Sequence, residues 1–439
     1  MPWWPDPAWA RPGGDVADEA TGTERPARFR DVFAVGQFRV LWLAHAQSRI
    51  GDQLARVALS VLVFDRTHSP AWTALTFAMT ILPNLAGGAL LAGLADRLPR
   101  RTVMVVADVA RAALVAVMAL PGQPIAVMVV LLCLVQLPAA PFSAARNAIL
   151  PAILSGDRYV VGVAVMRTTD QLGLVGGIGV GAALVTALGT RTTLVIDAAT
   201  FALSAALIAL GVRAHRPPGN DISGHSPRSW WQSLRAGATL VLGDRRLRAL
   251  VGLACVNGFY VIPEGIAVPY AAHIHGGTPA VGWLLAAIPA GSVLGMLTLK
   301  NVRPDWRLRA MGPLAVASCA ILLPTWLAPV LVVSVALWAL SGFFSAHDMV
   351  VQATFVRNVP DASRGQAIGL ASAAMQTAQG LGIVAAGLLA QVLTPAAVVG
   401  LAGATGVLAA ALAASAWARA ASPRPSVGRG EAGLDAASG

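Results

Sequence analysis

The chain has 439 residues, of which 56% are hydrophobic and 12% charged, about half the charge of an ordinary soluble domain at roughly 25%. Its mean hydropathy is +0.66 and its formal net charge +11. This balance excludes a soluble nucleic-acid-binding reading, so the positive charge is taken as a marker of membrane orientation. Lys300 is the single lysine and no Gly-Lys-Ser/Thr motif exists, which excludes ATP hydrolysis by a P-loop.

Taken in order, residues 1–37 read as a disordered cytoplasmic tail. The first 27 hold Pro, Trp, Gly and acids and no apolar stretch of a cleavable signal. Twelve apolar runs follow, each long enough for a hydrocarbon core of about 30 Å. They lie at 38–64, 71–92, 102–120, 124–150, 160–188 and 192–212, then 249–272, 279–299, 308–327, 329–350, 366–392 and 395–417. Loop charge alternates along them. One set of loops carries Arg97, Arg100, Arg101, Arg158, the segment 213–248, Lys300, Arg303, Arg307, Arg357 and Arg364; the other carries only Arg66 and Arg191. Cationic loops resist translocation, so both termini are expected in the cytoplasm. The tail 418–439 is expected to be disordered.

Two halves, 38–212 and 249–417, repeat in parallel. Asp96 after the second run matches Asp305 after the eighth, and the fifth and eleventh runs begin at matching places. The segment 213–248 joins them. Within it Trp230, Trp231, Leu234, Ala238 and Leu242 share one helical face while Arg228 and Arg235 point away, which suits a helix lying in the membrane interface. The three cysteines, Cys133, Cys255 and Cys319, all fall in apolar runs and read as small hydrophobes, not as metal or disulfide ligands.

The tight basic connection Gly93-Leu94-Ala95-Asp96-Arg97-Leu98-Pro99-Arg100-Arg101 forces the second and third runs to be antiparallel neighbours. Here the sequence resembles the Major Facilitator Superfamily, whose signature loop reads Gly-x-x-x-Asp-Arg-x-Gly-Arg-Arg. Asp96, Arg97, Arg100 and Arg101 match, and Ala92 and Pro99 stand at glycine positions of the family. The resemblance implies an all-α integral membrane fold of twelve transmembrane helices in two pseudo-symmetric six-helix halves. Asp108 and Arg111, a turn apart in span 3, are expected to join that loop in a charge cluster that latches the cytoplasmic side, with Arg146, Arg167 and Asp170 nearby.

Charges at membrane depth are costly and by default functional. His45, Arg49, Asp52 and Arg56 lie on one face of span 1. They read either as a cavity-lining stripe or as ion pairs that only satisfy one another. Span 7 carries one acid, Glu264, beside the helix breakers Pro263 and Gly265 and with no cation within a turn. Flanking arginines favour the charged form of Asp52, whereas apolar surroundings favour a proton on Glu264. Glu264 is therefore expected to carry the coupling proton and Asp52 to orient or contact substrate. Asp197 and the pair His347/Asp348 read as structural, near the ends of their spans.

Gly173, Gly177 and Gly181 recur every four residues in span 5, a surface for close helix packing. A related stretch in the drug-antiporter branches holds Gly-Pro-x-x-Gly-Gly, with Gly177 at the proline position. The segments Pro141–Pro151 and Leu194–Phe201 resemble bacterial macrolide-type and siderophore-type efflux permeases. In the family, spans 1, 4, 7 and 10 line the central cavity. Here they offer Arg49, Asp52, Gln136, Asn257, Tyr260, Glu264 and Trp338. The expected function is export of a small amphipathic molecule in exchange for protons across a bacterial inner membrane. The protein is expected to be a monomer, with the lipid bilayer as its partner and no nucleic acid, metal or cofactor. The rivals are an uptake symporter of the same fold and a non-transporting receptor or scaffold.

Overall fold

The computed structural model describes residues 28–91, 98–213, 230–327, 330–360 and 363–421. Those residues are helical almost throughout, with no β-strand among them. Nine segments among the described residues are long and apolar enough to cross a membrane. One of them, Asp157–Gly211, runs 55 residues and leaves the helical region at Gly189, with φ 81° and ψ 164°. Glycine takes that conformation at little cost. On the two sides of the break the contacts run in opposite senses. Gly173, Gly177 and Gly181 pass Arg49, Gln53 and Leu54 in the same chain direction, whereas Asp197 and Gly211 pass Gly51 and Val40 in the reverse one. The chain turns back at Gly189, and this one segment supplies the expected spans 5 and 6.

The expected spans 1 and 2 fall outside the nine for physical reasons. Span 1 is the 32-residue helix Gly36–Thr67, whose apolar windows are diluted by Arg49, Asp52 and Arg56. Span 2 is divided into Pro70–Ala78 and Pro83–Leu91, because Pro83 has no N–H to give the preceding turn. Span 7 is the most broken. It runs as Arg245–Cys255, Asn257–Tyr260, Ile262–Gly265 and Ala267–His273, with Pro263 at the head of the third piece. Gly258 in it lets the Ala378 carbonyl of span 11 (Arg364–Leu389) approach, at 2.8 Å from where a Cβ would stand. Glycine also sets the spacing of span 8 (Gly277–Leu299) on span 10, where Gly291 and Gly295 face the carbonyls of Ala339 and Phe343.

The main contacts between the two halves pair span 2 with span 11 and span 5 with span 8. They cluster on the side remote from the described chain ends. There Gly387 admits Ala74, Gly380 admits Leu82, Gly282 admits Ala182, and Gln391 Nε2 reaches Ser69 Oγ at 3.4 Å. On the side that carries the chain ends the halves stand apart around cavities, so the protein is open toward that side.

The joining segment contains the expected helix, Trp230–Gly243. Its Gly237 and Val241 are buried, with Gly237 against the Gln366 carbonyl of span 11. Arg235 is exposed and Leu242 is 62% exposed. The side chains of Trp230, Trp231 and Leu234 lie outside the described residues, as do Asp96 and Arg97 of the signature loop. Of the rest of that loop, Arg100 donates to the Ala148 carbonyl at 2.7 Å. Arg101 donates to the Ala209 carbonyl in the last turn of span 6, where a cation complements the helix dipole.

The span 5 glycines give a paired test. A Cβ on Gly177 would stand 2.9 Å from Gln53 Cβ and 3.2 Å from Ile50 Cα, whereas one on Gly179 meets nothing within 4 Å. Gly177→Ala should lower the melting temperature of the detergent-purified protein. Gly179→Ala should leave it unchanged or raise it, since alanine is better than glycine in a helix by about 0.8–1.0 kcal/mol. Equal shifts would contradict the packing described.

Candidate functional site

Two adjoining cavities of about 510 and 490 Å³ lie between the halves and share Arg56 in their walls. The first lobe is lined mainly by the first half and is dense in charge. The second is lined mainly by the second half and mixes amides, acids and apolar groups.

The stripe on span 1 organises the first lobe. His45 Nε2 bonds to Asp170 Oδ1 at 2.8 Å, and Arg146 Nη1 reaches His45 Nδ1 at 2.8 Å. The same Nη1 lies 2.7 Å from His45 Nε2, so Arg146 sits against both ring nitrogens. Arg49 Nε lies 3.2 Å from the same Asp170 oxygen, and Arg49 Nη1 lies 3.3 Å from Asp52 Oδ2. The other Asp52 oxygen accepts from Arg111 Nη2. Arg111 lies 3.9 Å from Asp108 and covers the Phe201 ring at 4.1 Å. Ser204 Oγ donates to Asp108 at 2.5 Å. One chain of alternating charge thus links spans 4, 1, 5, 3 and 6. His45, Arg49 and Asp52 of the stripe are paired in it, and all four stripe residues line the lobe.

Among the described residues the partners of Asp108 and Arg111 are Asp52 and Ser204 inside the bundle, with Asp108 fully buried and Arg111 3% exposed; the expected partner Asp96 lies outside the described residues. Asp197, read as structural, lies deeper than the outer end of span 6. It is fully buried against Gly51 in the middle of span 1, and Thr200 Oγ1 donates to its backbone carbonyl at 2.8 Å.

In the second lobe Asp348 is the hub. It accepts from Asn257 Nδ2 at 2.9 Å and from the Tyr260 hydroxyl. His347 Nε2 stands 3.3 Å from its other oxygen. Gln379 of span 11 donates to Asn257 Oδ1. Spans 7, 10 and 11 are tied together by these bonds. Asp348 was expected to be structural, near the end of span 10. The helix His347–Asn358 continues ten residues past it, about 15 Å at 1.5 Å per residue, so Asp348 stands at depth and lines the cavity. Its signal in the sequence was hidden because the last turns of that helix are polar.

Glu264 also lines the second lobe. Its carboxylate has no hydrogen bond and no ion pair within 4 Å among the described residues, and the charge facing it is Arg56 of span 1. Arg56, one turn from Asp52, makes no ion pair with it within 4 Å; it lies over the Phe77 ring at 5.3 Å and lines both lobes. Gln136 lines the first lobe, and Asn257 and Tyr260 the second. Trp338 lines neither. It is fully buried and packs on Tyr270 with ring centres 5.2 Å apart, so the expectation of a cavity role for it is corrected.

The enterobactin exporter EntS of Escherichia coli O1:K1 is 27% identical over 381 residues, which cover 82% of this chain and 86% of the exporter. The uncharacterised MFS-type transporter YkuC of Bacillus subtilis (strain 168) is 27% identical over 298 residues, covering 63% of this chain and 68% of that one. Among solved structures, the nucleoside transporter NupG superposes with a TM-score of 0.69 at 15% identity, covering 88% of this chain and all of that one; this shows a shared fold. The family model described as Major Facilitator Superfamily matches residues 41–324, well over half of the sequence, and the chain belongs to that superfamily.

Proposed function

We propose that the protein exports a small amphipathic organic molecule across the cytoplasmic membrane of a bacterium, in exchange for protons, by alternating access. It acts as a monomer with both termini and the 213–248 linker in the cytoplasm, and the two halves are residues 38–212 and 249–417. The observation that carries the reading is the pair Arg56 and Glu264. They stand on opposite halves, share a cavity wall, and act on each other electrostatically. A proton arriving on Glu264 removes that attraction, so proton binding changes a force between the halves. Export as the direction is supported by the similarity to EntS. Asp52, held by Arg49 and Arg111, is the fixed charge that orients substrate. Asp96 and its neighbouring arginines hold the cytoplasmic latch.

Orientation is checked by labelling. In a variant lacking Cys133, Cys255 and Cys319, single cysteines at 122 and 276 should react with an impermeant thiol reagent in intact cells, and those at 100 and 303 should not. Labelling at 100 would overturn the orientation.

Coupling is checked in inverted membrane vesicles carrying an imposed inside-acid gradient. The wild type should concentrate a fluorescent dye. Glu264→Gln, which mimics the permanently protonated acid, should abolish that accumulation yet keep substrate binding and energy-independent exchange. If Glu264→Gln still concentrates dye while Asp52→Asn does not, the roles of the two carboxylates are reversed.

A further inference from the structure

A third cavity, of about 270 Å³, opens between the halves on the side that carries the chain ends. One wall is Arg167 of span 5, which also lines the first lobe. The opposite wall belongs to the second half and is mainly apolar, built from residues such as Leu250, Ala254, Val351, Phe355 and Met375, with Gln352 and Ser372 among them. Arg167 is exposed to this space, and no carboxylate lies within 4 Å of it among the described residues. Arg146 stands near enough for the two cations to act on each other, although Asp170 acts on Arg146 more strongly. It too lacks a carboxylate within 4 Å, bonding instead to His45 at 2.8 Å and to Asn147 at 3.4 Å. The acids of the first lobe are already engaged: Asp52 by Arg49 and Arg111, Asp170 by Arg49 and His45. The lobe therefore presents one cation, Arg167, with no carboxylate within 4 Å among the described residues, beside a mainly apolar wall.

We propose that this cavity is a recognition site for an amphipathic organic anion, whose acidic group is held by Arg167 with Arg146 beside it and whose apolar body lies against the Phe355 wall. The proposal rests on the transporter reading above and names its substrate class. Guanidinium groups bind a planar carboxylate through paired, charge-assisted hydrogen bonds, and a membrane-depth cation without a partner calls for an acid. The site is divided between the halves. The acid is gripped by spans 4 and 5, and the body by spans 7, 10 and 11. A ligand bound there bridges the halves on the side where they stand apart, so it binds better as that side closes. Such differential affinity is what a ligand needs to drive a conformational change.

The test uses purified full-length protein in lipid nanodiscs and three fluorescent probes with one apolar body: dansyl-glycine (anion), dansyl-glycinamide (neutral) and dansyl-ethylenediamine (cation). The anion should bind at least about tenfold tighter than either of the others, and its lead should narrow in high salt. Arg167→Gln should erase the preference at an unchanged melting temperature, and Arg167→Lys should restore part of it. Ala254→Phe, which fills the apolar side, should weaken all three probes. The cation arm tests the opposite polarity, since Glu264 and Asp348 line the second lobe. Equal affinities, no binding of the anion, a preference for the amide or the amine, or a preference that survives Arg167→Gln would overturn the site. Dye accumulation by the wild type in vesicles is scored separately, so intact export with the wrong head-group preference sinks this proposal and leaves the transporter reading standing.

Discussion

A charge at membrane depth has no water to turn to, and leaving it alone at the centre of a helix costs about 2.5–3.5 kcal/mol on insertion scales. The architecture is arranged around that constraint. In the first half it is met by the chain Arg146, His45, Asp170, Arg49, Asp52, Arg111, Asp108 and Ser204, in which each group between the two ends answers to two neighbours. Glycines make it possible. Gly173 and Gly177 bring span 5 onto the Arg49 and Gln53 turn of span 1, and Gly51 brings Asp197 and Thr200 of span 6 onto its other side. Helices that approach this closely place short polar side chains within hydrogen-bond reach.

The second half meets the same constraint differently. Its acids are few, and one oxygen of Asp348 is held by amide and hydroxyl groups of the broken span 7, with the His347 imidazole 3.3 Å from the other. Glu264 is the exception: among the described residues the charge acting on it is Arg56, across the divide. A bond within one half stabilises that half in every state. An attraction between halves belongs to one arrangement of them, and its strength depends on whether Glu264 carries a proton. The far side is closed by tight contacts such as Gly387 on Ala74, while the near side is held apart around cavities.

Much of this was legible in the sequence, and the failures share a cause. Hydropathy located helices long and apolar enough to cross a membrane, and loop charge set the expected orientation. Even the split of span 7 at Pro263 could be read, because proline and glycine act locally. Depth could not be read in the same way. Asp348 looked peripheral because the apolar run stops near Val350, yet the helix continues through the polar residues to Asn358. Asp197 looked peripheral for the opposite reason, since the bend at Gly189 sets span 6 alongside the middle of span 1. Partners across helices were out of reach altogether. Arg56 sits one turn from Asp52 and pairs with neither Asp52 nor any other acid within 4 Å, because its side chain extends toward the second lobe. Trp338 shows the converse, a residue on a cavity-lining span that faces its own half.

The central claim is that the charge on Glu264 biases how the halves sit. It is tested most directly by spin labels on the far side, at Trp72→Cys of span 2 and Val392→Cys just beyond span 11, in a protein without its native cysteines. Both positions are exposed. Double electron–electron resonance should give one short distance at alkaline pH. A longer-distance population should grow as the pH falls, and should be present at every pH in Glu264→Gln. A distance distribution that ignores pH, and that Glu264→Gln leaves unchanged, would contradict the account.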